Sequence, residues 1–150
     1  MASVEEHLYL ESDGSCANCG IRDPRFLTVH HLEQSEPKNE AYDNKLLLCH
    51  NCHQAHHQAK GLSAEDLRTI KHRLIVKTLT RPGLNALKEA YRRSLVVAMP
   101  FLINHLVELG YLQLRREGVS WSDGDKSGIV EAEYTITCSG RALLEKWLLK

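Results

Sequence analysis

The residues best suited to chemistry are concentrated between Cys16 and His57. Of the nine histidines and five cysteines in the 150-residue chain, six histidines and four cysteines lie in this stretch. Thiolates and neutral imidazoles are the usual protein ligands of zinc and of other borderline transition metals. Metal binding is therefore the first chemistry that the sequence predicts, and the neighbouring segments must position these side chains.

The four cysteines form two Cys-x2-Cys pairs separated by a long spacer. Four thiolates with this spacing are typical of a tetrahedral zinc site without an open coordination position, which is a structural site. Zinc would fold this part of the chain, because residues 1–60 have few long apolar runs. Its binding would weaken at low pH as the thiols become protonated. The predicted zinc ligands are Cys16, Cys19, Cys49 and Cys52.

Residues 49–53, with the sequence CHNCH, also fit the Cys-x-x-Cys-His motif to which c-type haem is attached. That alternative leaves Cys16 and Cys19 without a role and requires an exported protein. The N-terminal residues contain no secretory apolar region, and no apolar run approaches the length that spans a membrane. We therefore expect a cytoplasmic protein with no membrane partner, in which reduced thiols bind metal.

Two pairs of histidines have spacings that suit a second metal site. His53 and His57 are four residues apart on a predicted helix, so their side chains share a face and can grip one ion. His30 and His31 are adjacent on a predicted strand, so one can bind metal while the other faces water. A neutral histidine can deprotonate water near pH 7, and a divalent cation can neutralise a phosphate and stabilise a leaving oxygen. These groups together suit hydrolysis of a phosphodiester bond.

The order of these groups resembles that of the HNH endonuclease family. The resemblance covers about residues 14–60, where His-His-Leu, an Asn, Cys-x-x-Cys-His and a further His follow one another. It implies a β-hairpin and a helix around one metal ion, and a four-cysteine zinc is a known variant of the family. By position, His31 would be the general base, and Asn44 would brace the loop and orient the base, or sit near the metal. The implied ligands of a catalytic cation, Mg²⁺ or another divalent metal, are His30, His53 and His57.

The chain departs from the family pattern in two places. Many members have Asp where this chain has His30, a change that alters metal preference more than activity. A proline commonly follows the strand that carries the base, whereas residues 33–35 here read Glu-Gln-Ser. The loop geometry is therefore expected to differ from that of most members.

Three further residues could belong to the sites or lie outside them. His50 lies between two cysteines and is expected to fill space or to face water, whereas His56 is an alternative metal ligand because it adjoins the predicted ligand His57. The fifth cysteine, Cys138, is expected to be a small packing residue. The alternative interpretation of the histidines as a set is that they are incidental, solvated side chains of a zinc knuckle.

The apolar patterns predict an α+β protein with two domains. A small zinc-stapled ββα-metal domain would occupy residues 1–61, a connecting helix 62–80, and a mainly helical winged-helix-like domain 81–150. Strands are predicted at 26–32 and 45–48, and a helix from 51 or 52 to 60. In the second domain, helices are predicted at 84–94 and 100–110, strands at 111–115 and 129–137 around a polar tip at 117–128, and a last helix from 139 or 140 onward.

The second domain resembles bacterial winged-helix regulators in pattern, over residues 106–112 and 134–143. The connecting helix would start at a Ser63 cap and end at residues 80–83, whose sequence Thr-Arg-Pro-Gly breaks helices. Its apolar stripe would be formed by Leu67, Ile70 and Leu74. The basic side chains of the other faces would form either a solvated surface or a phosphate-contacting stripe: Arg68, Lys71, His72, Arg73 and Lys77.

The charge distribution places any contact with phosphate mainly in the second half. The formal net charge is zero, but residues 1–60 hold 5 basic and 9 acidic residues, a balance of −4, and residues 61–150 hold 14 and 10, a balance of +4. The expected function is that of a metal-dependent endonuclease acting on DNA, with RNA left open because the site acts on a phosphate. The winged helix would bind DNA, a protein partner or a second copy. The alternative is a non-catalytic, zinc-dependent winged-helix regulator that binds DNA.

Overall fold

The structure is a computed structural model that describes residues 3–149. It consists of two units, of which the first ends at Thr78 and the second begins at Leu79. Both units contain helices and strands, so the expected mixture of the two is confirmed. Among the helices of residues 3–149, none combines the length and the apolar composition that crossing a bilayer requires.

The first unit begins with four elements in the order helix, strand, strand, helix. The first helix starts at a capping box, in which the side chains of Ser3 and Glu6 accept each other's backbone N–H. A short 3₁₀ turn precedes each strand, and the second helix follows the second strand without a loop. The elements are α1 (Val4–Glu11), β1 (Leu27–His31), β2 (Lys45–Cys49) and α2 (His50–His57).

Strands β1 and β2 form an antiparallel hairpin in which His30 lies opposite Leu46 and His31 opposite Lys45. Every residue of β2 is buried, as expected for a strand with three consecutive leucines. Three of the four cysteines share one core with leucines, so their sulfur atoms are part of the hydrophobic interior. The buried members of this core are Cys16, Leu46, Leu48, Cys49, Cys52, Leu62 and Leu67.

A long helical stretch, α3 (Ala64–Arg93), is interrupted at Thr80, where φ is 59° and ψ is 168°. Pro82 has no N–H to donate within a helix, and the Gly83 N–H is 3.4 Å from Thr80 Oγ1, as at the start of a new helix. The break predicted for residues 80–83 therefore lies at Thr80. The predicted Ser63 cap is also present, because its hydroxyl accepts the Asp66 N–H at 3.1 Å.

One basic residue of α3 corrects the sequence prediction. The sequence predicts a polar face for Lys71, but its side chain is fully buried, and its Nζ lies 2.9 Å from Glu11 Oε1. The Tyr42 hydroxyl donates to the other oxygen of this carboxylate, and the Tyr42 ring centroid is 3.7 Å from Lys71 Nζ. Burial raises the pKa of Glu11 and lowers that of Lys71 to about 8, while the charge of each partner opposes these shifts.

The second unit contains a three-stranded antiparallel sheet with strand order β3-β7-β4 and a separate two-stranded hairpin, β5-β6. A β-bulge lies between Leu114 and Arg116 of β4. Helix α4 begins with a proline in its first turn, where the missing N–H is harmless. The elements are β3 (Val96–Ala98), α4 (Pro100–Glu108), β4 (Leu112–Glu117), β5 (Ser120–Asp123), β6 (Lys126–Ile129), β7 (Ala132–Ile136) and α5 (Cys138–Leu143), with a π-helical turn at Leu144–Leu148.

Three details of the second unit differ from expectation. Strand β3 was not predicted, because three residues are too few to show a period. The polar tip contains the β5-β6 hairpin, whose strands are largely exposed and so lack the alternation that marks a half-buried strand. Cys138 is exposed and is not a packing residue. The last helix starts there, capped by the Thr137 hydroxyl, which accepts the Gly140 N–H at 3.0 Å.

Replacing Lys71 with alanine should destabilise the first unit strongly, because the Glu11 carboxylate would remain buried without its cation. We expect a loss of about 3–5 kcal/mol in the free energy of unfolding, measured by urea denaturation of the zinc-loaded protein. Replacing both partners together, as Glu11→Leu with Lys71→Met, should cost much less than Lys71→Ala alone.

Lys77→Ala is the matched control on the same helix. Lys77 Nζ lies 3.0 Å from Asp13 Oδ2 and donates to the Glu11 carbonyl at 3.1 Å, but the side chains of Lys77 and Asp13 are more than half exposed. Its loss should cost at most about 1 kcal/mol. Equal effects of Lys71→Ala and Lys77→Ala would contradict the buried ion pair.

Candidate metal centres

The two cysteine pairs reach one point by different local structures. The first pair lies in a tight turn, in which the Cys16 N–H donates to the Ile21 carbonyl at 2.8 Å and the Gly20 N–H donates to the Cys16 carbonyl at 2.9 Å. Gly20 has a φ of 79°, a conformation that glycine adopts without steric cost. The second pair needs no turn, because Cys49 ends β2 and Cys52 lies in the first turn of α2.

The four sulfur atoms all lie within 4.8 Å of one another. Cys19 Sγ and Cys49 Sγ are 3.6 Å apart. A tetrahedral site with metal–sulfur bonds of about 2.3 Å has edges of about 3.8 Å, so the observed spacing is close to that of a closed zinc site. All four thiols are free. The cluster Cys16, Cys19, Cys49 and Cys52 could therefore hold a metal ion such as zinc, as the spacing predicts.

The surroundings of the four sulfurs favour the thiolate form of one cysteine, Cys16. Burial raises the pKa of Cys16, but the backbone N–H groups of Cys19 and Cys49 outweigh burial and bring this pKa to about 7. Burial raises the pKa of Cys52 to about 12, although the Asn18 amide is 3.3 Å from its sulfur. A bound cation would supply the positive charge that ionises the less acidic thiols.

Three histidines form a second group of donors. In α2, the Nε2 atoms of His53 and His57 are 3.0 Å apart, one helical turn from each other. The ring centroid of His30, from β1, lies 5.0 Å from that of His53 and 5.5 Å from that of His57. One nitrogen from each ring lies within 4.8 Å of the others. The hairpin and the helix thus bring together the three residues that the sequence nominated as ligands of a second cation.

His30 is the buried member of this group, with 1% of its surface exposed. Neither of its ring nitrogens has a hydrogen-bond partner. Leaving such groups unpaired in an interior costs free energy. Burial, followed by the nearby His53, lowers the pKa of His30 to about 4, so its ring is neutral and has a lone pair to offer at pH 7. A bound cation would be the partner that the protein does not provide for this nitrogen. The donor set therefore fits a metal ion.

The two neighbouring histidines of α2 have other surroundings. His56 contacts the His30 ring at 5.0 Å between centroids, but it is not among the grouped donors of residues 3–149. Its Nδ1 is 2.9 Å from the Leu62 carbonyl, so His56 ties the end of α2 to the segment before α3. His50 is exposed and faces water, one of its two expected positions.

His31 lies next to the donor group in the chain but has a different partner. Its Nε2 is 3.0 Å from Glu40 Oε1, and its side chain is 17% exposed. Lys45 forms an ion pair with the other oxygen of the same carboxylate. The hydrogen bond from Lys45, more than that from His31, lowers the pKa of Glu40. His31 is therefore a partly accessible imidazole held by a carboxylate.

Asn44 is fully buried and braces the loop between the strands. Its Oδ1 accepts the Glu33 N–H at 2.9 Å, and its Nδ2 donates to the Asn39 carbonyl at 2.8 Å. The amide thus fixes both ends of residues 33–39. This is the bracing position that the resemblance implies, and any influence on His31 passes through the loop.

Glu40 and Lys45 were not singled out from the sequence. Glu40 lies in a polar loop, whose composition says nothing about which residues its side chains meet. Lys45 could have been found, because the hairpin register places it opposite His31 once the two strands are paired.

Replacing Cys49 with serine should remove the sulfur-bound metal and unfold the first unit. Serine cannot supply a thiolate, and binding of a structural zinc contributes folding free energy directly. We expect one fewer zinc per chain by mass spectrometry of the metals and a loss of helical circular dichroism. Cys138→Ser, at the exposed cysteine, should change neither quantity. A folded Cys49→Ser protein with unchanged zinc content would contradict the four-cysteine site.

Replacing His30 with leucine should not lower the stability of the protein without a second cation, but it should weaken the stabilisation that an added cation gives. Without a second cation, the zinc-loaded variant should be as stable as wild type or more stable, because two unpaired buried nitrogens are removed. Added Ni²⁺ at 100 times its dissociation constant should stabilise wild type by about 2.7 kcal/mol and the variant far less, as measured by thermal unfolding. His72→Leu, at an exposed histidine of α3, should respond like wild type. Equal stabilisation of His30→Leu and wild type would exclude His30 as a ligand.

Comparison with known proteins leaves the chain without a family assignment. No protein-family model, no curated protein and no solved structure matches it. The resemblance carried by residues 14–60 therefore stays a prediction, and what is established is a mixed helix-and-strand protein with four cysteines that could hold a metal ion such as zinc.

Proposed function

We propose that this protein is a metal-dependent endonuclease of the HNH type, which hydrolyses phosphodiester bonds in DNA. The observation that carries the proposal is the environment of His30, a buried neutral imidazole with no partner at either nitrogen, grouped with His53 and His57. The hairpin of β1 and β2 followed by α2 is the order of elements expected for that family.

His30, His53 and His57 would hold a divalent cation. When bound, this cation would supply positive charge that neutralises the scissile phosphate and stabilises the leaving oxygen. Three imidazoles suit Ni²⁺ or Zn²⁺ better than Mg²⁺ or Mn²⁺, which prefer oxygen ligands. The chain itself would contribute the geometry, since the three rings come from two elements fixed next to the four-cysteine core.

His31 would act as the general base. The oxygen of a water molecule forms a bond to phosphorus while the bond to the leaving oxygen breaks. The proton of that water passes to the free ring nitrogen of His31, and the leaving oxygen takes a proton from solvent. Because side chains alternate along a strand, His31 can meet water while the adjacent His30 meets the cation.

The second unit is proposed to be a winged-helix module that binds DNA or a protein partner. Its three-stranded sheet and its β5-β6 hairpin suit that interpretation. Helix α4 contains no Lys or Arg, and it exposes Phe101 and Leu102. The basic side chains of the strands, Arg115 and Lys126, would therefore meet phosphates, and α4 would contact a protein or a second copy of the chain.

Replacing His31 with alanine should reduce cleavage to a small residual rate without changing metal content. Loss of a general base lowers the rate by about 10²- to 10⁴-fold. The assay is nicking of supercoiled plasmid with Mg²⁺ or Mn²⁺, run beside linear duplex, single-stranded DNA and RNA. His50→Ala, at an exposed histidine of α2, is the control and should cleave like wild type.

Two outcomes would count against the proposal. Cleavage by His31→Ala at the rate of wild type would remove His31 as the base. Failure of wild type to cleave any substrate with any cation would favour the alternative, a zinc-dependent regulator. A gel-shift measurement would then be expected to show duplex binding that needs the cysteine-bound metal but not His31.

A further inference from the structure

We propose that Glu40 is a positioning residue, which holds the ring of His31 in the tautomer whose Nδ1 is free to accept a proton. The inference rests on the proposed function, because it assigns which ring nitrogen of the general base accepts the proton. It begins from the 3.0 Å separation of His31 Nε2 and Glu40 Oε1. An ionised carboxylate only accepts hydrogen bonds, so the proton of the neutral imidazole must be on Nε2.

The carboxylate of Glu40 is fixed at both oxygens. One faces His31, and the other forms an ion pair with Lys45, whose side chain is 10% exposed. Lys45 is the cross-strand neighbour of His31 in the hairpin register. The base, its carboxylate and the cation that anchors the carboxylate thus form one contiguous group at the end of the hairpin.

The loop that carries Glu40 is held from the interior. The amide of Asn44 binds the Glu33 N–H and the Asn39 carbonyl, and the Asn39 side chain in turn accepts the Ala41 N–H at 3.0 Å. Glu40 lies between these last two residues, so its backbone is fixed on both sides. An otherwise exposed carboxylate therefore has a defined position. Asn44 would act on the base through this chain of contacts.

The chemical consequence concerns both orientation and charge. A histidine held by a carboxylate keeps one tautomer and one ring orientation, and the carboxylate stabilises the imidazolium that forms when the ring accepts a proton. The ring of His30, the neighbour of His31 in the chain, faces the other histidines. His31 is therefore the residue that needs the support of the carboxylate. Glu40 touches neither substrate nor cation in this scheme and acts only through His31.

The first test reads the tautomer directly and does not depend on cleavage. Long-range ¹H–¹⁵N spectra of the zinc-loaded full chain, recorded at about pH 8 where an ordinary imidazole is neutral, should show the His31 proton on Nε2. Glu40→Gln should give a mixture of tautomers, because an amide can either accept or donate. Glu36→Gln, the same substitution at another glutamate of this loop, is the control and should leave the wild-type tautomer of His31. A proton on Nδ1 in wild type, or an unchanged tautomer in Glu40→Gln, overturns the proposal.

The second test is a double-mutant cycle on cleavage. Glu40→Gln should lower kcat by at least about tenfold with little change in KM, because the group acts on the reacting base and not on binding. In the His31→Ala background the same substitution should have no further effect, since a positioning residue has nothing left to position. An equal loss in both backgrounds would show a merely structural role and overturn the proposal.

The two tests also separate this inference from the proposed function. A tautomer held by Glu40 in a protein that cleaves nothing would refute the nuclease while leaving the carboxylate–histidine pair established. Cleavage that needs His31 but is indifferent to Glu40 would support the nuclease and refute the positioning role.

Discussion

The first unit depends on bringing four sulfur atoms from two distant segments to one point. These atoms are not appended to a finished core, because Cys16, Cys49 and Cys52 pack with the leucines of β2 in a single buried cluster. A segment with so few long apolar runs gains limited stability from burial alone, and a tetrahedral ion held by these sulfurs would supply a cross-link. The end of β2 and the first turn of α2 bring Cys49 and Cys52 to this point.

Buried polar groups in this unit fall into two kinds. The Glu11–Lys71 pair and the Asn44 amide are surrounded by partners, so each stabilises a particular packing of the chain. His30 is equally buried, and neither of its ring nitrogens has a partner. This contrast, more than the motif itself, marks His30 as a candidate for metal binding.

The sequence was most informative where chemistry is encoded in spacing. Two Cys-x2-Cys pairs and the His53–His57 interval predict grouped donors, because the turn and the helix that produce the grouping are local. It was least informative where a contact joins distant residues. Lys71 had a polar identity in a helical pattern, and only the position of α1 explains its burial beside Glu11. The partner of His31 lies in an irregular loop, and strands β5 and β6 are largely exposed, so no period reveals them.

Helix α2 carries Cys52 of the sulfur cluster and, immediately after it, the imidazole of His53, with His57 one turn further on. Two groups of candidate metal ligands therefore share one short helix, whose first turn would be tethered by a metal ion bound to the sulfurs. If that ion is zinc, a cell starved of zinc would hold this chain with its imidazoles dispersed, however much magnesium or manganese it contained. Any reaction performed at the neighbouring histidines would then depend on the supply of zinc.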